Sequence, residues 1–267
     1  MKLQLPKGMR DINPEDKILR DSITNELKKT FEVYGFNSLE TPIVERFDIL
    51  ANKFGAGESS DAMKETFKLK DQGSRDLGLR FDLTVPLARY IAMNPNIKLP
   101  FKRYQIGEVF RDGPIKLGRY REFWQCDVDV VGTRNMLADA ELIKLSLEVF
   151  QKLKLNASME INNRKLLESL MKNAGVKKEK LQDTIIIIDK LQKLGLKGVK
   201  EELSKILDEK TLEEITKILK IEGTAQQIFD QLEPLIKGAD GREGIEELKK
   251  LFSYFNKKQK ENIKLNL

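Results

Sequence analysis

The stretch Phe110-Arg111-Asp112-Gly113-Pro114-Ile115-Lys116-Leu117-Gly118-Arg119-Tyr120-Arg121-Glu122-Phe123-Trp124-Gln125 decides the fold. It places an arginine at the end of an apolar run, then a loop punctuated by Gly113, Pro114 and Gly118, then an Arg-Tyr-Arg-Glu-Phe return. Residues 101–110 upstream read as a strand. Residues 121–131 read as another, with Phe123, Gln125, Asp127 and Asp129 on one side at period 2. Together they predict a long-looped antiparallel hairpin. Trp124 and Cys126 fall on the other side, as packing residues. Three arginines on one hairpin are costly unless they meet anions or carboxylates, and the guanidinium fork suits phosphate oxygens. A surface hairpin with Arg–Glu pairs accounts for the same charges, so the pattern alone leaves both readings open.

Working outward, residues 15–33 predict an amphipathic helix. Asn13-Pro14 forms its cap and first turn, and Ile18, Leu19, Ile23, Leu27 and Phe31 recur at helical spacing. Residues 36–44 read as a strand that Pro42 confines to an edge or a bulge. Short strands at 66–69 and 78–81 flank an Asp71-Gln72-Gly73-Ser74 turn, and residues 84–93 read as a helix capped by Thr84. Beyond the hairpin lie a helix at 135–152 and a short strand at 157–161. From Asn162 onward the pattern is almost entirely helical, closing with residues 245–255. Arginines and aromatics concentrate before residue 160, whereas Arg164 and Arg242 are the sole arginines after it. This shift predicts two domains, 1–160 and 161–267, without a Gly/Ser linker between them.

Composition narrows the chemistry. The 267 residues, 40% of them hydrophobic, suffice for two packed cores. The chain has no histidine and one cysteine, Cys126. That rules out a Ser-His-Asp triad, a Cys-His pair, and zinc held by histidine or by cysteines alone. Catalysis therefore rests on carboxylates, Arg, Lys or hydroxyls, or on positioning and charge stabilisation. The lone cysteine fits a reducing, cytoplasmic setting. No apolar run approaches the roughly 18 residues of a membrane span, so no membrane partner is expected. A net charge of +6 permits a polyanionic partner without requiring one.

The hairpin resembles motif 2 of class II aminoacyl-tRNA synthetases, most closely that of the histidyl-tRNA synthetases. Three further segments agree. Pro6-Lys7-Gly8-Met9-Arg10-Asp11 looks like that family's N-terminal element. Tyr34-Gly35-Phe36 through Thr41-Pro42-Ile43 looks like motif 1. Arg80-Phe81-Asp82-Leu83-Thr84-Val85-Pro86 resembles the histidine-binding loop in its archaeal and eukaryotic form. The resemblance implies an α+β fold: a class II synthetase-type antiparallel sheet flanked by helices (residues 1–160), plus an all-α insertion domain (161–267). It implies a homodimer through motif 1. The implied activity is ATP-dependent attachment of histidine to tRNA(His) through histidyl-adenylate, with ATP accompanied by Mg2+ and no protein-bound metal site.

Residue by residue, the resemblance implies that Arg111 is the catalytic arginine on the α-phosphate and the amino acid carboxylate. Arg121, Glu122 and Phe123 complete the ATP contacts, with Phe123 stacked on adenine. Asp82, Thr84 and Gln125 hold the histidine ammonium, and Asp129 accepts from its imidazole. Asp112, Gly113 and Lys116 of the loop face the tRNA acceptor end. Motif 3, the histidine-specific Arg-Gly-Leu-Asp-Tyr-Tyr segment and the anticodon-binding domain have no match here. The chain is therefore expected to be an N-terminal portion that binds its substrates but hardly catalyses alone. Two other functions share the pattern: a regulatory subunit of ATP phosphoribosyltransferase and a non-catalytic tRNA-binding module.

Overall fold

The computed structural model describes residues 2–52 and 64–267. The chain divides into two compact units, Met1–Arg134 and Asn135–Leu267. The division falls ahead of the composition shift near residue 160, because the helix that follows Asn135 packs with the later helices.

In the first unit, helix α1 (Pro14–Val33) begins where its capping residues demand. The Asn13 side chain accepts the Asp16 N–H at 2.8 Å, Pro14 occupies the first turn, and Glu15 and Asp16 put negative charge at the positive end of the helix dipole. Phe31 near its end is buried against Tyr104, with ring centroids 5.3 Å apart. Farther toward the N-terminus the predicted apolar stripe is uncovered: Ile18 is 71% and Leu19 60% exposed.

The strand predicted over 36–44 divides. Asn37–Ser38 (β1) and Val44–Arg46 (β2) belong to different sheets. Between them Pro42 has no N–H to give a ladder, and the Thr41 carbonyl accepts from Arg80 Nη1 at 2.8 Å. Helix α2 (Phe47–Asn52) follows β2. Strands β3 (Lys68–Lys70) and β4 (Asp76–Leu79) flank the predicted turn, and β2, β4 and β3 form an antiparallel sheet in that order. Helix α3 (Thr84–Met93) starts as expected but is not capped by Thr84, which is its first residue. Asp82 does that work, its Oδ1 accepting the N–H groups of Thr84 (3.1 Å) and Val85 (3.0 Å).

The predicted hairpin is formed by β5 (Phe101–Phe110) and β6 (Glu122–Val131), paired antiparallel over their full length. The register sets Arg103 against Asp129, Gly107 against Gln125 and Val109 against Phe123. β1 joins the other side of β5 in parallel, so this sheet is mixed in direction, in the order β1-β5-β6.

The second unit contains α4 (Met136–Lys152), β7 (Met159–Ile161), α5 (Arg164–Asn173), α6 (Leu181–Ile188), α7 (Leu191–Leu203), α8 (Glu209–Ile218), α9 (Ala225–Leu232), α10 (Ala239–Ser253), α11 (Lys257–Lys260) and β8 (Ile263–Leu265). The helix predicted over 181–194 breaks after Ile188, and α7 itself kinks at Gly195. The all-α expectation needs one correction. Ile263–Leu265 pairs in parallel with Met159–Ile161, burying Ile263 and Leu265. Leu166, Leu170, Met171, Val199, Ile215 and Leu232 are fully buried in one hydrophobic core, which Phe229, Phe252 and Phe255 also enter. α10 approaches α5 closely at Gly241 and Gly244. A Cβ at Gly244 would lie 2.7 Å from the Leu166 backbone nitrogen, so glycine permits the contact.

Among the described residues no helix is long and apolar enough to cross a membrane.

Candidate active site on the hairpin face

One face of the β5–β6 hairpin carries a row of polar groups. Its anchor is Arg103, which sequence reading passed over. The side chain is fully buried, and the register places it across from Asp129. Its Nη2 approaches Asp129 Oδ2 at 2.6 Å and Asp127 Oδ2 at 4.0 Å, and donates to the Leu83 carbonyl at 3.2 Å. The Asp129 contact brings opposite charges together without hydrogen-bond alignment: Asp129 Oδ2, with Arg103 Nε and Nη1, is buried without a hydrogen-bond partner. Burial lowers the Arg103 pKa from the usual arginine value against the pull of Asp129 and Asp127. It also raises that of the Asp129 carboxyl, with Arg103 opposing and Asp127 reinforcing.

Next along β6, Gln125 Nε2 donates to Asp127 Oδ1 at 2.9 Å, and Gln125 Oε1 is buried without a partner. Gln125, Asp127 and Asp129 thus share one face, as period 2 requires. Asp82 lies at the entry to α3, 3% exposed, one residue before the Leu83 carbonyl that Arg103 reaches; Thr84 is exposed.

Arg111 sits at the far end of the row. Its guanidinium carbon lies 4.4 Å from the Phe81 ring centroid and 5.0 Å from that of Phe123, and Nε donates to the Phe81 carbonyl at 3.2 Å. Two aromatic faces fix the plane of the fork without consuming its terminal nitrogens. Burial lowers its pKa from the ordinary value. Glu65, the largest opposing influence, was also missed by the sequence reading. The Glu65 carbonyl accepts the Asp112 N–H at 2.7 Å, and its carboxylate lies over Gly113.

The loop residues are engaged with one another. Arg121 Nη1 pairs with Asp112 Oδ1 at 2.8 Å and its Nε donates to the Gly113 carbonyl at 3.3 Å. Arg121 N–H donates to the Gly8 carbonyl at 2.8 Å. Gly8 adopts φ +84°, and a Cβ there would meet Arg121 Cγ at 2.8 Å, so the N-terminal element can approach the hairpin only as glycine. Arg10 stacks over Tyr120 at 4.2 Å. Lys116 pairs backbone to backbone with Arg119 at the loop tip, where Leu117 is fully exposed. Glu122, opposite Phe110, begins the return strand.

Trp124 and Cys126 occupy the reverse face, as predicted from strand alternation. There they line, with α1 residues such as Leu19, Ile23 and Leu27, a cavity of about 420 Å³. Arg20 stacks over Trp124 at 5.0 Å. Cys126 is exposed, yet desolvation by the surrounding sheet and helix raises its thiol pKa to about 11. This cavity is walled mostly by apolar groups and lies across the sheet from the Arg111–Asp129 row.

The architecture of the first unit is that of a class II aminoacyl-tRNA synthetase catalytic fold. A solved histidyl-tRNA synthetase from a Nostoc species superposes with a TM-score of 0.86 at 29% identity, covering 100% of this chain and 61% of that one. The sequence matches the histidyl-tRNA synthetase family over residues 8–267, and the chain belongs to that family. Histidine–tRNA ligase 1 of Bacillus cereus is 46% identical over 203 residues, which cover 76% of this chain and 47% of that protein. The chain thus spans about half the length of the curated relatives it matches. A Bacillus halodurans protein described as an ATP phosphoribosyltransferase regulatory subunit/histidyl-tRNA synthetase shares the fold at 22% identity, with a TM-score of 0.79 over 100% of this chain and 68% of that one.

Proposed function

We propose that this chain is the amino-acid-activating part of a cytoplasmic histidine–tRNA ligase. Histidine carboxylate oxygen attacks the α-phosphorus of ATP, the bond to the β-phosphate oxygen breaks, and pyrophosphate leaves histidyl-adenylate. The terminal ribose hydroxyl of tRNA(His) then takes the histidyl group and releases AMP. The supporting observation is the arrangement on one sheet face: an oriented guanidinium at one end, a row of hydrogen-bond acceptors at the other. In-line displacement at phosphorus needs positioning and charge stabilisation more than a protein base, which suits a chain without histidine.

Arg111 binds the α-phosphate and the substrate carboxylate; a charge-assisted bond of this kind contributes about 1.5–3 kcal/mol. Phe123 stacks on adenine, and Arg121 and Glu122 contact ATP. Asp82, Thr84 and Gln125 take the ammonium, and Asp129 takes the imidazole N–H. Asp112, Gly113 and Lys116 face the tRNA acceptor end. Among the described residues no group of three or more His, Cys, Asp or Glu is placed to hold a metal ion. ATP is taken with Mg2+, as the family resemblance implies, and no residue is assigned to the ion. Two copies pair through α1 and the segment after it, covering Ile18 and Leu19.

A regulatory role in the manner of the Bacillus halodurans protein's description would use the same fold, so the side chains must discriminate. Arg111, Asp82, Gln125 and Asp129 are all present, which favours the ligase. Calorimetric titration of the chain with histidine and, separately, with ATP tests the reading. Both are expected to bind. A chain that binds neither ligand overturns the reading.

A further inference from the structure

The pairing of Arg103 with Asp129 leads beyond the roles assigned above, while resting on the proposed histidine site. Full burial of a guanidinium with two nitrogens unpartnered is costly, and a core position in a strand would ordinarily hold an aliphatic residue. What the charge obtains is contact with two carboxylates of the same sheet face, Asp129 at 2.6 Å and Asp127 at 4.0 Å. Asp129 Oδ2 is turned inward onto Arg103 while the side chain remains 30% exposed, so the carboxylate edge carrying Oδ1 faces outward. Asp127 in turn is held by Gln125. The cluster has two carboxylates against one guanidinium, a net negative charge that suits a cationic or N–H-donating ligand. We propose that Arg103 is a positioning residue for the amino-acid site, anchoring Asp129 from the neighbouring strand on the same sheet face so that its outer oxygen is aimed at the ring N–H of the bound substrate.

The surroundings agree. The titratable groups acting on the pair are Asp127 and Cys126, both from β6. The segment entering α3 adds the Leu83 carbonyl, with Asp82 beside it turned to the helix N-terminus. Within this group Arg103 supplies the positive charge opposing protonation of Asp129, since burial and Asp127 both favour the proton. Arg103 touches no substrate in this scheme; it acts through Asp129.

A double-mutant cycle on the full chain tests the assignment, using Arg103→Met, Asp129→Asn and the pair together. The readouts are histidine affinity from pH 5 to 9, ATP affinity and thermal midpoint. Arg103→Met is expected to weaken histidine binding about tenfold or more near neutral pH and to move the acid limit of binding upward. ATP affinity should be retained, and Arg103→Lys should restore part of the loss. The substrate's own titration is common to every variant and cancels from the comparison. In the Asp129→Asn background, Arg103→Met should cost nothing further in histidine affinity, because the residue through which it acts is gone. Removing both charges at once also keeps the comparison available where Arg103→Met alone folds poorly. An unchanged histidine pH profile in Arg103→Met, or an equal loss with and without the Asp129 carboxylate, overturns the proposal. So does a matched fall in histidine and ATP affinity that Arg103→Lys does not relieve. Should the wild type bind no histidine, the functional reading fails first and this inference with it.

Discussion

The two units bury different kinds of residue. Among the described residues, every buried charged side chain lies in the first unit: Glu45, Arg80, Asp82 and Arg103. The buried polar residues of the second unit are Ser169, Thr184, Thr211 and Thr216; the Thr216 hydroxyl donates to the Leu212 carbonyl of its own helix, and that of Thr184 to the Lys180 carbonyl just before its helix. The second unit is thus held by apolar packing, aliphatic side chains together with Phe229, Phe252 and Phe255, for which shape matters and charge does not. The first accepts desolvated charge, which stabilises a fold poorly but fixes polar groups in place. The difference teaches how the two units use burial: the sheet of the first holds charged groups in fixed positions, and the helical core of the second does without them.

Four substitutions bear on that contrast, and the largest effect belongs to the second unit's apolar core. Leu170→Ala removes a fully buried side chain from the second core. It is expected to cost about 3–5 kcal/mol, read as a lower urea midpoint. A cost under about 1 kcal/mol would mean that this core is loosely packed. In the first unit, Arg80 is 3% exposed and donates to the carbonyls of Glu108 (2.6 Å) and Thr41 (2.8 Å). Arg80→Met strands both acceptors and should cost about 2–4 kcal/mol by the same measurement. A neutral result would show that buried charge there contributes nothing to structure.

Arg111→Lys sharpens the comparison from the functional side. Lysine keeps the charge but loses the planar fork held between Phe81 and Phe123. ATP affinity measured by calorimetry should fall about tenfold, or about 1.4 kcal/mol, with little change in thermal midpoint. Equal affinities would remove Arg111 from the site. The smallest effect concerns pH. Burial raises the Asp129 pKa above the usual aspartate value, against the pull of Arg103. A carboxyl raised in the folded state contributes stability below its unfolded pKa of about 4, and that contribution is lost as the pH rises through the folded value. Asp129→Asn resembles the protonated form throughout. Its thermal midpoint relative to wild type should therefore climb as the pH rises from about 4 through the raised folded value; a flat difference would contradict the assigned direction.

What the sequence disclosed follows from the range of the forces involved. Residues 101–110 were legible as a strand to the residue, and α1 to within one, because period, caps and turn residues act over a few positions. Asp127 and Asp129 were correctly placed on the face of Gln125 by alternation alone. Arg103 was legible too, had the register been carried through. The register that sets Phe110 against Glu122 sets Arg103 against Asp129, and an arginine facing an aspartate in the middle of two strands is a signal. The division of the strand at Thr41 was half legible: Pro42 marked an edge or a bulge, but Arg80, which takes the Thr41 carbonyl, lies 39 residues away. Glu65 gave no local sign of its place beside Arg111, which only the folded loop creates. Helix α2 and strand β8 are too short for periodicity to show.

Cys126, the lone thiol on the reverse of the sheet, makes the molecule convenient to watch. A dye or spin label attached there stands one strand-thickness from the Arg111–Asp129 row, close enough to sense ligand binding and outside its path. The chemistry sets the protocol. With burial raising the thiol pKa to about 11, little thiolate is present at pH 8, so maleimide coupling will be slow and pH-driven. A labelling rate that jumps at neutral pH would itself report that the sheet has opened around the sulfur.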